Sequence, residues 1–242
     1  MNSLQAIKQE LQALADPQTA QHSQRFFKTG KGEYGEGDIF LGIRVPVIRQ
    51  LAKKHQQLPL DKIESLLHSN FHEQRLLALI MMVNLYKKSD TSTQQQIFNS
   101  YINNVQYINN WDLIDTTTPH IIGAYLFDKN RQILFDYAKS DNLWQRRIAV
   151  LACFYFIQLE DFSDFIKIAE MLVDDQQDLI HKAVGWMLRE AAKRQLSITM
   201  NFLDQYAASM PRTMLRYALE RFPADLKKEY MAKKARLTAA ES

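Results

Sequence analysis

Six prolines and seven glycines are all the helix breakers in 242 residues, and five of the glycines fall between positions 30 and 42. Outside that stretch the backbone meets almost nothing that interrupts a helix, whereas short strands would need a turn every few residues. Apolar residues recur at helical spacing, as in Leu4, Ile7, Leu11 and Leu14 and later in Leu66, Phe98 and Ile102. Start signals punctuate these runs: Asn70 with Glu73 three residues on reads as a capping pair, and Pro211 after Ser209 reads as a first-turn proline. About a dozen helices are expected, joined by short turns such as "KKSD", "DKN" and "DDQ", and no stretch alternates over strand length. The fold class is all-α.

The helices also recur at a period. The segments "HEQRLLALIMMVNLYKK" (72–88), "LWQRRIAVLACFYFIQ" (143–158), "IHKAVGWMLREAAKR" (180–194) and "RTMLRYALERF" (212–222) each open with basic residues and continue as an apolar helix. Arg147 and Lys182 are 35 residues apart, and Lys182 and Arg216 are 34 apart. Helix pairs at this period predict a HEAT-like solenoid, an α-α superhelix in one domain over 1–242, with a glycine-rich insert at about 29–42 and a disordered tail at about 237–242. Helix N-termini disfavour cations, so basic residues repeated there point to a stripe along the concave face, against the alternative that helix starts merely tolerate them.

Bulk properties narrow the partners only slightly. Thirty basic and 27 acidic residues leave a net charge of +3, which permits nucleic acid without requiring it. One cysteine, Cys153, excludes an internal disulfide, and its apolar surroundings read as core. The opening "MNSLQAIKQE" is too polar for a signal peptide, and "LLALIMMV" (76–83) is far shorter than a spanning helix, so a cytoplasmic protein is expected. His68 and His72 do not share a helical face if Asn70 caps a new helix, and His-Glu-x-x-His and cysteine pairs are missing; neither metal nor cofactor is expected.

Four segments carry the functional signal. In "NNWDLIDTTTPH" (109–120), Trp111 and Asp115 are four residues apart and leave one helical face. If Asn110 caps this helix, Asp112 suits the first turn; Leu113, Ile114, Thr117, Ile121 and Ile122 supply packing, leaving Trp111, Asp115 and Thr118 as a separate stripe. The plainer reading is an exposed acid beside a half-buried indole. In "LWQRRIAVLACFYF", Arg146 and Arg147 head a helix apolar enough to be central, where a guanidinium needs a carboxylate or phosphate. Arg147 shares a face with Trp144 and is placed to meet Asp115 from the next repeat, whether as part of a site or as a plain ion pair.

The third segment, "HKAVGWMLRE", puts Lys182, Trp186 and Arg189 on one side of a helix, an arrangement suited to a sugar-phosphate backbone as well as to a core tryptophan. Gly185 there implies close approach of another backbone. The fourth, "RFFKTGKGEYGEGDIFLGIRVP", lacks the Gly-Lys-Ser/Thr of a phosphate loop. Flanked by Lys28, Lys31 and Arg44, it lies against a nucleic-acid groove or serves as a mobile connection.

"NNWDLID", "LWQRRIAVL" and "KAVGWMLRE", in that order on a helical-repeat chain, resemble the AlkD-like DNA alkylation repair family over about residues 20 to 225. The resemblance implies a solenoid gripping duplex DNA in its concave face and excising N3- and N7-alkylated purines as a monofunctional glycosylase. It places the catalytic Trp and Asp on Trp111 and Asp115, the Arg on Arg147, and a second DNA-facing Trp on Trp186. DNA contacts are expected at Lys182, Arg189, Arg146, Arg216, Lys28, Lys31, Arg44 and Phe26, with Phe26 standing where the family has a tyrosine hydroxyl. The glycine-rich insert replaces a shorter link. The expected partner of this monomer is double-stranded DNA carrying alkylated purines. A non-catalytic module for DNA of unusual shape and a protein-interaction scaffold are the alternatives.

Overall fold

The computed structural model describes residues 4–240, with side chains through 233. Of the tail expected at 237–242, residues 241 and 242 lie outside the described residues. All regular structure described is helical, apart from one isolated parallel bridge between Ile39 and Phe71. The chain divides into two compact units at Thr117 and Thr118.

The first unit holds α1 (Leu4–Ala13), α2 (Pro17–Phe26), α3 (Val45–Lys54), α4 (Leu60–Leu67), α5 (His72–Tyr86), α6 (Thr91–Asn103) and nearly all of α7 (Trp111–Thr118). Helix α5 is its core. Every residue from His72 to Val83 is buried: the run from Leu76 is apolar all round and has no solvent face, and the polar first turn, His72 to Arg75, is enclosed with it. Against it pack α3, through Ile48 and Leu51, and α4, through Ile63, Leu66 and Leu67.

The glycine-rich stretch is not uniform. Lys31, Gly32 and Glu33 are exposed, but Phe40 to Ile43 are buried against the start of α5. Glu73 accepts the backbone N–H groups of Leu41, Gly42 and Ile43 at 2.8, 2.7 and 3.2 Å. Glu73 therefore does not form the capping pair expected with Asn70; the first residue before α5 is Phe71, whose N–H donates to Ser69 Oγ at 3.0 Å. Gly42 has φ +83°, and a Cβ there would sit 2.2 Å from the Asp16 carbonyl oxygen, so only glycine fits.

The second unit begins with a π-helical turn, Pro119–Gly123, and continues through α8 (Ala124–Leu126), α9 (Gln132–Ala138), α10 (Leu143–Gln158), α11 (Ser163–Met171), α12 (Asp178–Arg194), α13 (Leu196–Tyr206), α14 (Arg212–Ala218) and α15 (Ala224–Ala240). Pro119 has no N–H to offer the carbonyl four residues earlier, and the backbone widens there instead of continuing as α-helix. Within this unit α10, α12 and α14 pack in series, with α9 and α11 flanking α10 and α13 flanking α12. Close approach of α12 and α14 depends on Gly185: a Cβ there would meet the Met214 carbonyl oxygen at 2.5 Å and Tyr217 Cβ at 2.6 Å. Arg131 is enclosed beside α10, its guanidinium 3.9 Å from the Phe156 ring centroid and bonded to Asp161 and Asp164 at 2.7 and 3.0 Å.

Candidate active site

Helix α7 carries the pair that the sequence singles out, Trp111 and Asp115. Leu113, Ile114 and Thr117 are buried on its packing side, and Trp111 and Asp115 are both half-buried on another. Thr118 does not join them, for it is fully buried. The helix start is held firmly. Asn110 Oδ1 accepts the Trp111 N–H at 2.8 Å while its Nδ2 donates to Asp38 at 3.0 Å, and Asp112 Oδ1 accepts the Leu113 N–H at 2.8 Å.

Beneath α7 lies a buried ionic chain. Asp38 accepts hydrogen bonds from Arg75 Nη2, from His72 Nδ1 at 3.1 Å and from Asn110. The other imidazole nitrogen of His72, Nε2, donates to Asp112 at 2.8 Å. Both ring nitrogens face carboxylates, an arrangement only the imidazolium satisfies fully. Burial pushes the His72 pKa down, but the charge and hydrogen bond of Asp112, joined by those of Asp38, raise it to about 9. Burial likewise pushes Asp38 up, and the His72 hydrogen bond, the Arg75 charge and Asn110 outweigh it, leaving Asp38 below the ordinary carboxylate range. Two cations and two carboxylates thus neutralise one another around the root of α7.

An aromatic column rises from this chain. Phe40 stacks on His72 at 4.5 Å, Phe27 on Phe40 at 5.0 Å, and Trp111 on Phe27 at 5.2 Å, with interplanar angles of 22°, 17° and 23°. Phe26 meets Trp111 at 5.9 Å and 68°. From the glycine-rich stretch, Tyr34 accepts the Trp111 indole N–H at 3.3 Å. A cleft of about 320 Å³ runs beside the column, lined by Phe27, Phe40, His72, Glu73, Asp112 and Arg44. Lys28, Lys31 and Arg44 are exposed.

The second unit carries the remaining basic residues expected at DNA. Arg147 is only 4% exposed and donates to the Leu179 carbonyl; Arg146 is bonded to Asp175 at 2.7 Å and to the carbonyls of Ser140 and Asp141. Arg189 pairs with Glu220. Trp186 is half-buried, its N–H donating to Glu190 at 3.0 Å and its ring 5.8 Å from that of Phe154. Lys182 and Arg216 line one open groove of about 670 Å³ together with Asp178, Tyr217, Glu220 and Lys227, and Lys182 is paired with Asp178 at 2.6 Å.

Sequence reasoning missed Asp38, Tyr34 and the role of His72. Asp38 sits among glycines and is 34 residues from His72, so no local spacing links them; an isolated aspartate and tyrosine in a breaker-rich segment were the only available signal. Among the described residues no group of three or more His, Cys, Asp or Glu side chains is placed to hold a metal ion, and no helix is long and apolar enough to cross a membrane. Cys153 is fully buried, and burial pushes its thiol pKa up, away from nucleophile chemistry.

A family profile described as "DNA alkylation repair enzyme" matches residues 7–222. No curated protein matches the chain. Among solved structures, one from Enterococcus faecalis described as a predicted DNA alkylation repair enzyme superposes with a TM-score of 0.69 at 16% identity, covering 87% of this chain and 97% of its own. AlkD2 from Streptococcus mutans superposes with a TM-score of 0.54, also at 16% identity, covering 91% and 98%. At that identity the likeness is one of fold.

Proposed function

Because this chain belongs to the DNA alkylation repair enzyme family, we propose that it is a DNA glycosylase that hydrolyses the N-glycosidic bond of cationic N3- or N7-alkylated purines in duplex DNA. The observation that carries this reading is the accessible pairing of Trp111 and Asp115, one turn apart on a helix whose start is locked by the buried chain beneath it.

An alkylated purine already bears positive charge, and as its bond to the sugar breaks, that charge passes to the deoxyribose as an oxocarbenium ion. A fixed carboxylate stabilises the developing cation. At about 4 Å and an effective dielectric near 20, the attraction is on the order of 4 kcal/mol. Realised only in the transition state, that is worth roughly a thousandfold in rate. Asp115 supplies the carboxylate and orients the attacking water. Trp111 forms an aromatic wall on the sugar and excludes solvent. Lys182 and Arg216 take backbone phosphates in the second unit's groove, and Trp186 packs on deoxyribose. Arg147 is the third residue of the set that the resemblance implies, and holding a backbone phosphate is the part proposed for it.

Incubation with N-methylated duplex DNA tests the reading. Free 3-methyladenine or 7-methylguanine should accumulate above the spontaneous rate; duplex binding with no base released would instead support a non-catalytic module.

A further inference from the structure

Tyr34 belongs to the glycine-rich stretch yet reaches the candidate site, and the backbone that carries it is tied at both ends. On one side the Gly35 N–H donates to the Lys28 carbonyl at 3.1 Å, just past the end of α2. On the other, the Asp38 N–H donates to the Gly35 carbonyl at 3.1 Å, and the Asp38 carboxylate is bonded to His72, Arg75 and Asn110. The exposed part closes on itself, since Glu33 and Glu36 accept the Gly30 and Gly32 N–H groups at 2.9 and 2.8 Å. The stretch thus folds as a strap joined to α2 and to the root of α7. Tyr34 is half-buried in it, its hydroxyl accepting the Trp111 indole N–H at 3.3 Å and donating to the Phe26 carbonyl at 3.5 Å. Phe27 stacks on Trp111 at 5.2 Å and 23°, but stacking fixes only the plane of an indole; sliding or turning within that plane costs little. A hydrogen bond to the ring nitrogen has a direction and selects one orientation in the plane.

We propose that Tyr34 is a positioning residue of this site: it acts through Trp111, holding the indole in the orientation in which it walls the sugar beside Asp115. This rests on the reading of the protein as a glycosylase in which Trp111 forms that wall. The Tyr34 hydroxyl is engaged by the protein on both sides and touches no reacting atom. It sets how much of the time the wall is in place when the glycosidic bond breaks, so its effect falls on the rate of the chemical step and not on affinity for the duplex.

Single-turnover release of 7-methylguanine from a duplex carrying one such base, followed against protein concentration, separates the maximal rate from half-saturation. Tyr34→Phe keeps the ring and removes the hydroxyl. Its maximal rate should be about three- to tenfold below that of the wild type, with half-saturation unchanged. In a Trp111→Phe background, which has no indole N–H to hold, the same change should cost nothing further. Proton–nitrogen NMR gives a second readout. Of the three tryptophan indole N–H resonances, that of Trp111, identified by its loss in Trp111→Phe, should shift in Tyr34→Phe while the other two stay in place. Equal rates in Tyr34→Phe and wild type, a defect confined to half-saturation, a loss of the same size in the Trp111→Phe background, or an unmoved Trp111 resonance overturns the positioning role and leaves the glycosylase reading intact. A wild type that releases no base overturns the reading beneath it, and the role of Tyr34 with it.

Discussion

His72 shows how a single residue ties stability to the candidate site. Its folded pKa of about 9 exceeds the ordinary 6.5, so its contribution is complete below 6.5 and is lost as pH rises through 9. The shift corresponds to something on the order of 3 kcal/mol. Chemical denaturation of the wild type between pH 7 and 10 should therefore show falling stability. His72→Gln should begin less stable and fall less across that window; parallel curves would contradict the coupling. Asp112→Asn removes the largest favourable contribution to the shift, so the imidazole of that variant should titrate closer to 6.5 by NMR. None of this was legible from His72 itself, which the sequence offers only as a neighbour of His68 four residues back. Asp115 stands out in the sequence because a carboxylate one turn beyond the helix start has no dipole to explain it, and the structure leaves it half-buried on α7.

At the scale of elements, the sequence was most informative where backbone geometry leaves one choice. Gly185 announced a close helix contact, and α12 does meet α14 there. Gly185→Ala raises helix propensity yet forces a methyl into the Met214 carbonyl, so the expected net effect in urea unfolding is a loss of about 1 to 3 kcal/mol. A gain would mean that α14 can withdraw freely. The breaker map also predicted helices on both sides of the glycine-rich stretch. It failed inside that stretch: Glu73 looked like a capping partner for Asn70, whereas three N–H groups from Leu41 to Ile43 use it as an anion. Local capping rules cannot anticipate a donor set delivered from 30 residues away. The π turn after α7 was likewise hidden, although Pro119 within a helical pattern is its cause.

For the whole molecule, a net charge of +3 says little, and distribution decides. The basic residues expected at DNA also bond within the protein: Arg146 with Asp175, Arg147 with the Leu179 carbonyl, Arg189 with Glu220 and Lys182 with Asp178. A guanidinium near a helix start looks the same in sequence whether it serves a phosphate or a neighbouring loop. Lys182 and Arg216 share an open groove, so they carry the electrostatic part of the proposal. Lys182→Ala should weaken binding to any duplex sequence and reduce the slope of log affinity against log salt by about 0.9, the release expected for one phosphate contact. An unchanged slope would place the phosphate elsewhere. The central claim is chemical, however, and one comparison reaches it directly. Single-turnover release of 7-methylguanine from duplex DNA should be at least roughly tenfold slower for Asp115→Asn than for wild type, with duplex affinity little changed, as loss of transition-state charge stabilisation requires. Equal release rates in the two proteins would contradict the account.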